Sequence, residues 1–161
     1  MSIFNTNSIG PENYEPVIKR RVFFTGTGAV KKGQAVVWDL APGTGKPAVG
    51  QCVQTPTSTY KYHFAGVAVQ AYAANANGQW IDIYLPGSVC PCLIGPAATA
   101  GTTNVVFAQN GLFGKVSSTA ETGCGVAVVL EANASAASSG VLKKCLLLDG
   151  TDAVAPSFAA S

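Results

Sequence analysis

The chain has 161 residues and a formal net charge of +2, enough for one core of ordinary size, yet only 11% of its residues are Asp, Glu, Lys or Arg. An ordinary soluble domain has about 25%. Disorder needs high charge with few apolar groups, a spanning helix needs about 20 consecutive apolar residues, and a nucleic-acid binder needs a dominant basic surface; the composition meets none of these, so neither a membrane nor a nucleic acid is an expected partner.

Ala, Gly, Ser, Thr and Asn fill the places that surface charge usually holds, which points to assembly more than to chemistry. The start, Met1-Ser2-Ile3-Phe4-Asn5-Thr6-Asn7, has neither a basic region nor an apolar one of the kind that directs secretion, so a reducing cytoplasm is the expected compartment. Five cysteines (Cys52, Cys90, Cys92, Cys124, Cys145) form an odd, widely spaced set, and buried free thiols are expected.

Residues 1–21 are rich in Asn, Glu and Pro, with isolated apolar side chains; Pro11 and Pro16 forbid a regular helix, so the segment reads as an extended N-terminal arm. It ends in Lys19-Arg20-Arg21, read as the solvated start of a strand. A β domain is expected over residues 22–150 and a small, uncharged C-terminal tail over 151–161. Within the domain, β-branched and aromatic runs alternate with Gly, Pro and Asn punctuation, the pattern of an all-β chain. Strands are predicted at residues 22–25, 34–40, 48–54, 63–71 and 79–85, then at 92–94, 104–108, 113–116, 125–131 and 141–148. No stretch holds a helical period over 11 or more residues.

The two halves, about 22–88 and 92–150, match in order. Gly66-Val67-Ala68-Val69 and Gly125-Val126-Ala127-Val128 are each followed by an Ala-rich polar loop and a strand that ends at Pro86-Gly87 or Asp149-Gly150. Upstream, Gly33-Gln34-Ala35-Val36-Val37-Trp38 corresponds to Thr103-Asn104-Val105-Val106-Phe107, and the first copy carries an insertion around residues 43–62. The expected architecture is a small β-barrel or β-sandwich built from two similar β units, most simply two halves of one barrel, because closure removes strand edges that so few charges could protect.

No motif marks a catalytic, cofactor or metal site. Pro42-Gly43-Thr44-Gly45-Lys46-Pro47 superficially resembles a phosphate loop, but Pro47 stands where a Ser or Thr is needed and no helix follows. Cys90-Pro91-Cys92 lacks the two-residue spacing and helix N-terminus of a redox dithiol and reads as a crossover between halves. His63 lacks a nucleophile or acid partner in the sequence and reads as a surface or interface residue; the cysteines could hold zinc only by converging in space. Asn133-Ala134-Ser135 fits a glycosylation sequon but is expected to stay unmodified in a cytoplasmic protein. Trp38, Tyr60, Tyr62 and Phe64 are candidate interface aromatics, although sugar-binding platforms use the same residue types.

The arm, the small Gly/Ala/Thr-rich β domain, the run Lys31-Lys32-Gly33-Gln34-Ala35-Val36-Val37 and the later Gly66-Val67-Ala68 strand resemble bacteriophage head decoration, or cement, proteins over most of residues 17–150. The resemblance implies a structural virion protein on the capsid exterior, assembled in the host cytoplasm. It implies a homotrimer at three-fold or quasi-three-fold positions that stabilises contacts between major capsid protein subunits, with no enzymatic activity and no cofactor. Phe4, Ile9, Tyr14 and Ile18 are the arm residues expected to touch the capsid. The alternative is a β-rich binding module that recognises a glycan or a host surface through exposed aromatics.

Overall fold

The computed structural model describes residues 15–57, 63–95, 105–109, 111–115, 126–131 and 140–148. Every element among them is a strand. In chain order these are β1 (Lys19–Phe24), β2 (Ala35–Trp38), β3 (Cys52–Gln54), β4 (Phe64–Ala68), β5 (Gln79–Tyr84), β6 (Val89–Ile94), β7 (Val105–Gln109), β8 (Leu112–Lys115), β9 (Ala127–Val129) and β10 (Val141–Leu147). The chain is therefore all-β, and each predicted strand position carries one of the ten.

The strands form two five-membered rings, β1-β3-β2-β4-β5 and β10-β6-β8-β7-β9. Their wiring is the same. β1 lies parallel to β3 and antiparallel to β5, as β6 lies parallel to β8 and antiparallel to β10; all remaining pairs in both rings are antiparallel. β2, β4 and β5 thus correspond to β7, β9 and β10, the equivalences that the repeated Gly-Val-Ala-Val and its flanks suggest. Each unit closes on itself instead of contributing half of a shared barrel. Closure comes from β1, long enough to pair with β5 over six residues and with β3 at Phe23 and Phe24. In the second ring the parallel seam is a single register pair, Ile94 opposite Phe113.

The difference between the units falls between β2 and β3, where 13 residues (39–51) intervene, against two (110–111) between β7 and β8. The predicted insertion at 43–62 therefore includes a strand of the repeat, β3, and the added length lies in the loop ahead of it. A second correction concerns Cys90-Pro91-Cys92, which lies inside β6 and is not a crossover. Proline is tolerated there because Pro91 faces Lys144, whose backbone N–H donates to Glu131 Oε2 and whose carbonyl accepts from Leu130, both away from β6. Pro91 and Lys144 form a non-hydrogen-bonded pair, so no donor is missed.

Burial explains the sequence pattern. Val22, Phe24, Val36, Val53, Ala65, Ala68, Ile81 and Ile83 fill the first ring. Cys90, Cys92, Ile94, Val106, Ala108, Phe113, Ala127, Cys145 and Leu147 belong to the core of the second. Ala35 and Val67 of the first unit are buried in this second core, and Phe64 and Tyr84 pack against it. β2 and β4 are consequently covered on both faces and read as unbroken apolar runs (Ala35-Val36-Val37, Ala65-Gly66-Val67-Ala68), whereas β5 alternates cleanly between exposed Trp80, buried Ile81 and Ile83, and half-buried Asp82 and Tyr84.

The junction also closes through backbone. Leu93 N–H donates to Gly33 O at 2.8 Å and Ala35 N–H to Gly111 O at 3.2 Å. Gly33 has φ of 78° and lies so close to the other unit that a Cβ there would meet Leu142 Cδ2 and the Leu93 nitrogen, so only glycine fits.

Candidate functional site

The segment just ahead of β1 is the structured root of the arm. Residues 15–18 run extended across the β5–β6 turn, in contact with both units. Leu85 N–H donates to Ile18 O, and Val89 N–H donates to Pro16 O at 2.8 Å. Ser88 is fully buried, and its hydroxyl uses both of its roles: Ile18 N–H donates to Ser88 Oγ at 2.8 Å while Ser88 Oγ donates to Ile18 O at 3.1 Å. Further out, Lys144 Nζ meets Glu15 Oε1 at 2.6 Å, and the two flank a cleft of about 290 Å³ bordered also by Val89, Pro91, Leu142 and Glu131. The Glu15 carboxylate, first as hydrogen-bond acceptor and then as charge, raises the Lys144 ammonium above its ordinary pKa.

The backbone of this root is fixed, yet its apolar side chains are not buried: Val17 is 53% and Ile18 49% exposed. Ile18, one of the four predicted contact residues of the arm, is thus displayed on backbone held in place just ahead of β1. Phe4, Ile9 and Tyr14 lie outside the described residues, as do Tyr60, Tyr62, Cys124, the Asn133 sequon and the tail.

β1 and β5 share an outer face on which three cross-strand pairs are chemically matched. Phe23 opposes Trp80 with centroids 5.5 Å apart and planes at 82°; Arg21 Nε lies 3.3 Å from Asp82 Oδ1; the Lys19 ammonium sits 5.3 Å from the ring centre of Tyr84. Lys46 reaches in from the long β2–β3 loop, 5.4 Å from the Phe23 ring, and donates to Asn77 O. The same loop is tied down where Arg20 donates to Gly50 O, with its guanidinium 5.4 Å from the Trp38 ring. The Gly-Lys turn is accordingly a structural one, closed by Lys46 N–H donating to Gly43 O. Trp38 is half-buried against the first core, and Phe64 lies in the junction, meeting Phe113 edge to face at 6.0 Å. Exposed aromatic surface is supplied by Trp80, at 47%. Sequence reasoning misses Trp80 as a display residue because the alternation of β5 shows two faces without saying which one is left open.

Four cysteines (Cys52, Cys90, Cys92, Cys145) are buried free thiols. Cys90 and Cys145 are cross-strand neighbours on β6 and β10, and Cys92 Sγ lies 3.9 Å from Cys90 Sγ. Hydrogen bonds with Cys145 and Cys90, followed by burial, hold the Cys92 thiol well above its ordinary pKa, the opposite of what a redox nucleophile requires. Among the described residues no three His, Cys, Asp or Glu side chains form a set suited to a metal ion. His63 is exposed at the edge of β4, and its carbonyl accepts from Trp38 N–H.

No protein-family model matches the chain, and no curated protein matches it in sequence.

Proposed function

We propose that this chain is a structural capsid decoration protein, a homotrimer seated on the outside of an icosahedral phage head, where it stabilises contacts between major capsid protein subunits without catalysing a reaction. The observation that carries this reading is the arm root. A buried serine and two further backbone bonds hold residues 16–18 in a defined path while Val17 and Ile18 present apolar side chains to solvent. An arm launched from such a base leaves the molecule at a fixed point beside the junction of the two units. If each of Phe4, Ile9, Tyr14 and Ile18 contributes about 1.5–3 kcal/mol on burial, three arms acting together through effective concentration give firm attachment from weak contacts. The sparse charge of the exterior fits a subunit whose surface is covered in its working state.

Light scattering coupled to size-exclusion chromatography tests the assembly, with a trimer expected. Deleting residues 1–14 leaves Glu15 and Pro16 to satisfy Lys144 and Val89, and should yield a folded protein that no longer occupies shells assembled from the capsid protein of the same genome. Undiminished occupancy by the truncated protein would refute the role of the arm. A full-length protein that ignores shells and binds on a glycan array would replace the decoration reading with glycan recognition.

A further inference from the structure

The outer face of β1 and β5 brings several cations together on one surface. Lys19, Arg21 and Lys46 stand on it or at its margin, and one carboxylate, Asp82, answers them, whereas Arg20 points to the other side of β1, over Trp38. Seven of the ten Lys and Arg residues but only four of the eight Asp and Glu residues fall within residues 1–88, so the first unit as a whole is the basic one. Two of the three cations on the face are held over aromatic rings, Lys19 over Tyr84 and Lys46 over Phe23, at 5.3–5.4 Å, and Arg21 is held by Asp82. A cation parked on a ring has already given up part of its rotamer freedom and loses less on meeting an anion. Between the cations lies apolar surface: Trp80 is 47% exposed and braced edge-on by Phe23, and Val17 and Ile18 continue the surface upstream. Exposed Trp and Arg, interleaved and pre-positioned, form the composition from which hot spots between proteins are made. A nucleic-acid partner would call for a basic surface over the whole chain, whose net charge is +2.

We propose that this face docks on an acidic patch of a protein surface, that of the shell subunit beneath the decoration protein, so that the first unit and the arm root form one continuous contact. The inference rests on the decoration reading and names the partner chemistry within it. It also gives the long β2–β3 loop, absent from the second unit, a role in binding, since that loop places Lys46 at this surface.

The test uses the full-length protein and shells assembled from the major capsid protein of the same genome, with occupancy read by co-sedimentation at about 50 and 300 mM salt. The variants are the double charge reversal Lys19→Glu/Lys46→Glu, the single Trp80→Ala and the deletion of residues 1–14, each checked for an unchanged oligomer and melting curve. Wild-type occupancy is expected to weaken with salt, and the charge reversal and Trp80→Ala each to lower affinity by about tenfold or more. If wild type binds, the deletion abolishes binding, and the face variants bind as wild type does, the face proposal falls while decoration stands. Wild-type protein that binds no shell overturns both. Binding of heparin or an oligonucleotide by wild type that the charge reversal removes, with shell binding untouched, overturns the protein partner.

Discussion

The rings of Phe64 and Phe113 meet edge to face across the junction of the two units, with centroids 6.0 Å apart and planes at 72°. Phe113 is fully buried in the second core and Phe64 half-buried against it, so this pair ties the stability of one barrel to the other. Phe113→Ala should cost about 3–5 kcal/mol and Phe64→Ala somewhat less, with a coupling of about 0.5–1.5 kcal/mol in a double-mutant cycle by chemical denaturation. Strict additivity of the two losses would mean that the rings touch without acting together.

Gly66 makes a sharper demand on sequence. Its φ is 153°, the register between β2 and β4 slips at Val36/Val37 beside it, and a Cβ would come within 2.1 Å of Tyr84 O. Neither the carbonyl, which is part of β5, nor the strand can yield without opening the ring. Gly66→Ala is therefore expected to destabilise by about 2–4 kcal/mol, whereas Gly43→Ala, in open space on the β2–β3 loop, should stay within about 0.5 kcal/mol. Comparable melting temperatures for the two variants would contradict this.

Removal of the Ser88 hydroxyl strips the arm root of two hydrogen bonds and leaves Ile18 N–H without its acceptor. Ser88→Ala is expected to lose about 1–3 kcal/mol and to raise hydrogen exchange at the Ile18 amide and proteolysis near residues 15–18. The β10–β6 ladder should be unaffected. A uniform rise in exchange across both rings would instead make Ser88 a general core residue.

The thiols have a pH signature. The hydrogen bonds that Cys145 and Cys90 make with Cys92, together with burial, keep its proton on in the folded state; burial acts the same way on Cys52 and on the Tyr84 hydroxyl. Folded pKa values above unfolded ones mean that unfolding releases protons, so the contribution of these groups is constant below about pH 8.5 and falls as pH rises beyond it. Denaturation midpoints at pH 7.5, 9 and 10 should decline in that order, and less steeply in Cys92→Ala. At neutral pH, Cys90, Cys92 and Cys145 should resist iodoacetamide until denaturant is added, as read by peptide mass spectrometry. Rapid native alkylation at any of the three would show that the second core opens readily.

Much of the site is built from relationships that span long stretches of chain. Ile18 and Ser88 are 70 residues apart, and Lys46 meets Asn77 and Phe23 from a loop that has the look of an insertion in the sequence. Of the four candidate aromatics, Trp38 and Phe64 are used inside the chain, while Trp80 supplies the exposed ring. Residue type and period-two alternation mark all three equally. Only the identity of the covering neighbour separates them.

What the amino-acid order determined by itself is local: where strands begin and stop, and that there are two similar sets of them. Alternation and turn residues act over a few positions and survive without knowledge of the fold. The tertiary structure decided that each set closes into its own ring, that β2 and β4 are covered on both faces, that Pro91 can sit within a strand, and that Lys19, Arg21 and Lys46 share a face with one exposed indole. Those outcomes depend on which face meets which partner, and a period of two assigns residues to faces without choosing the neighbour.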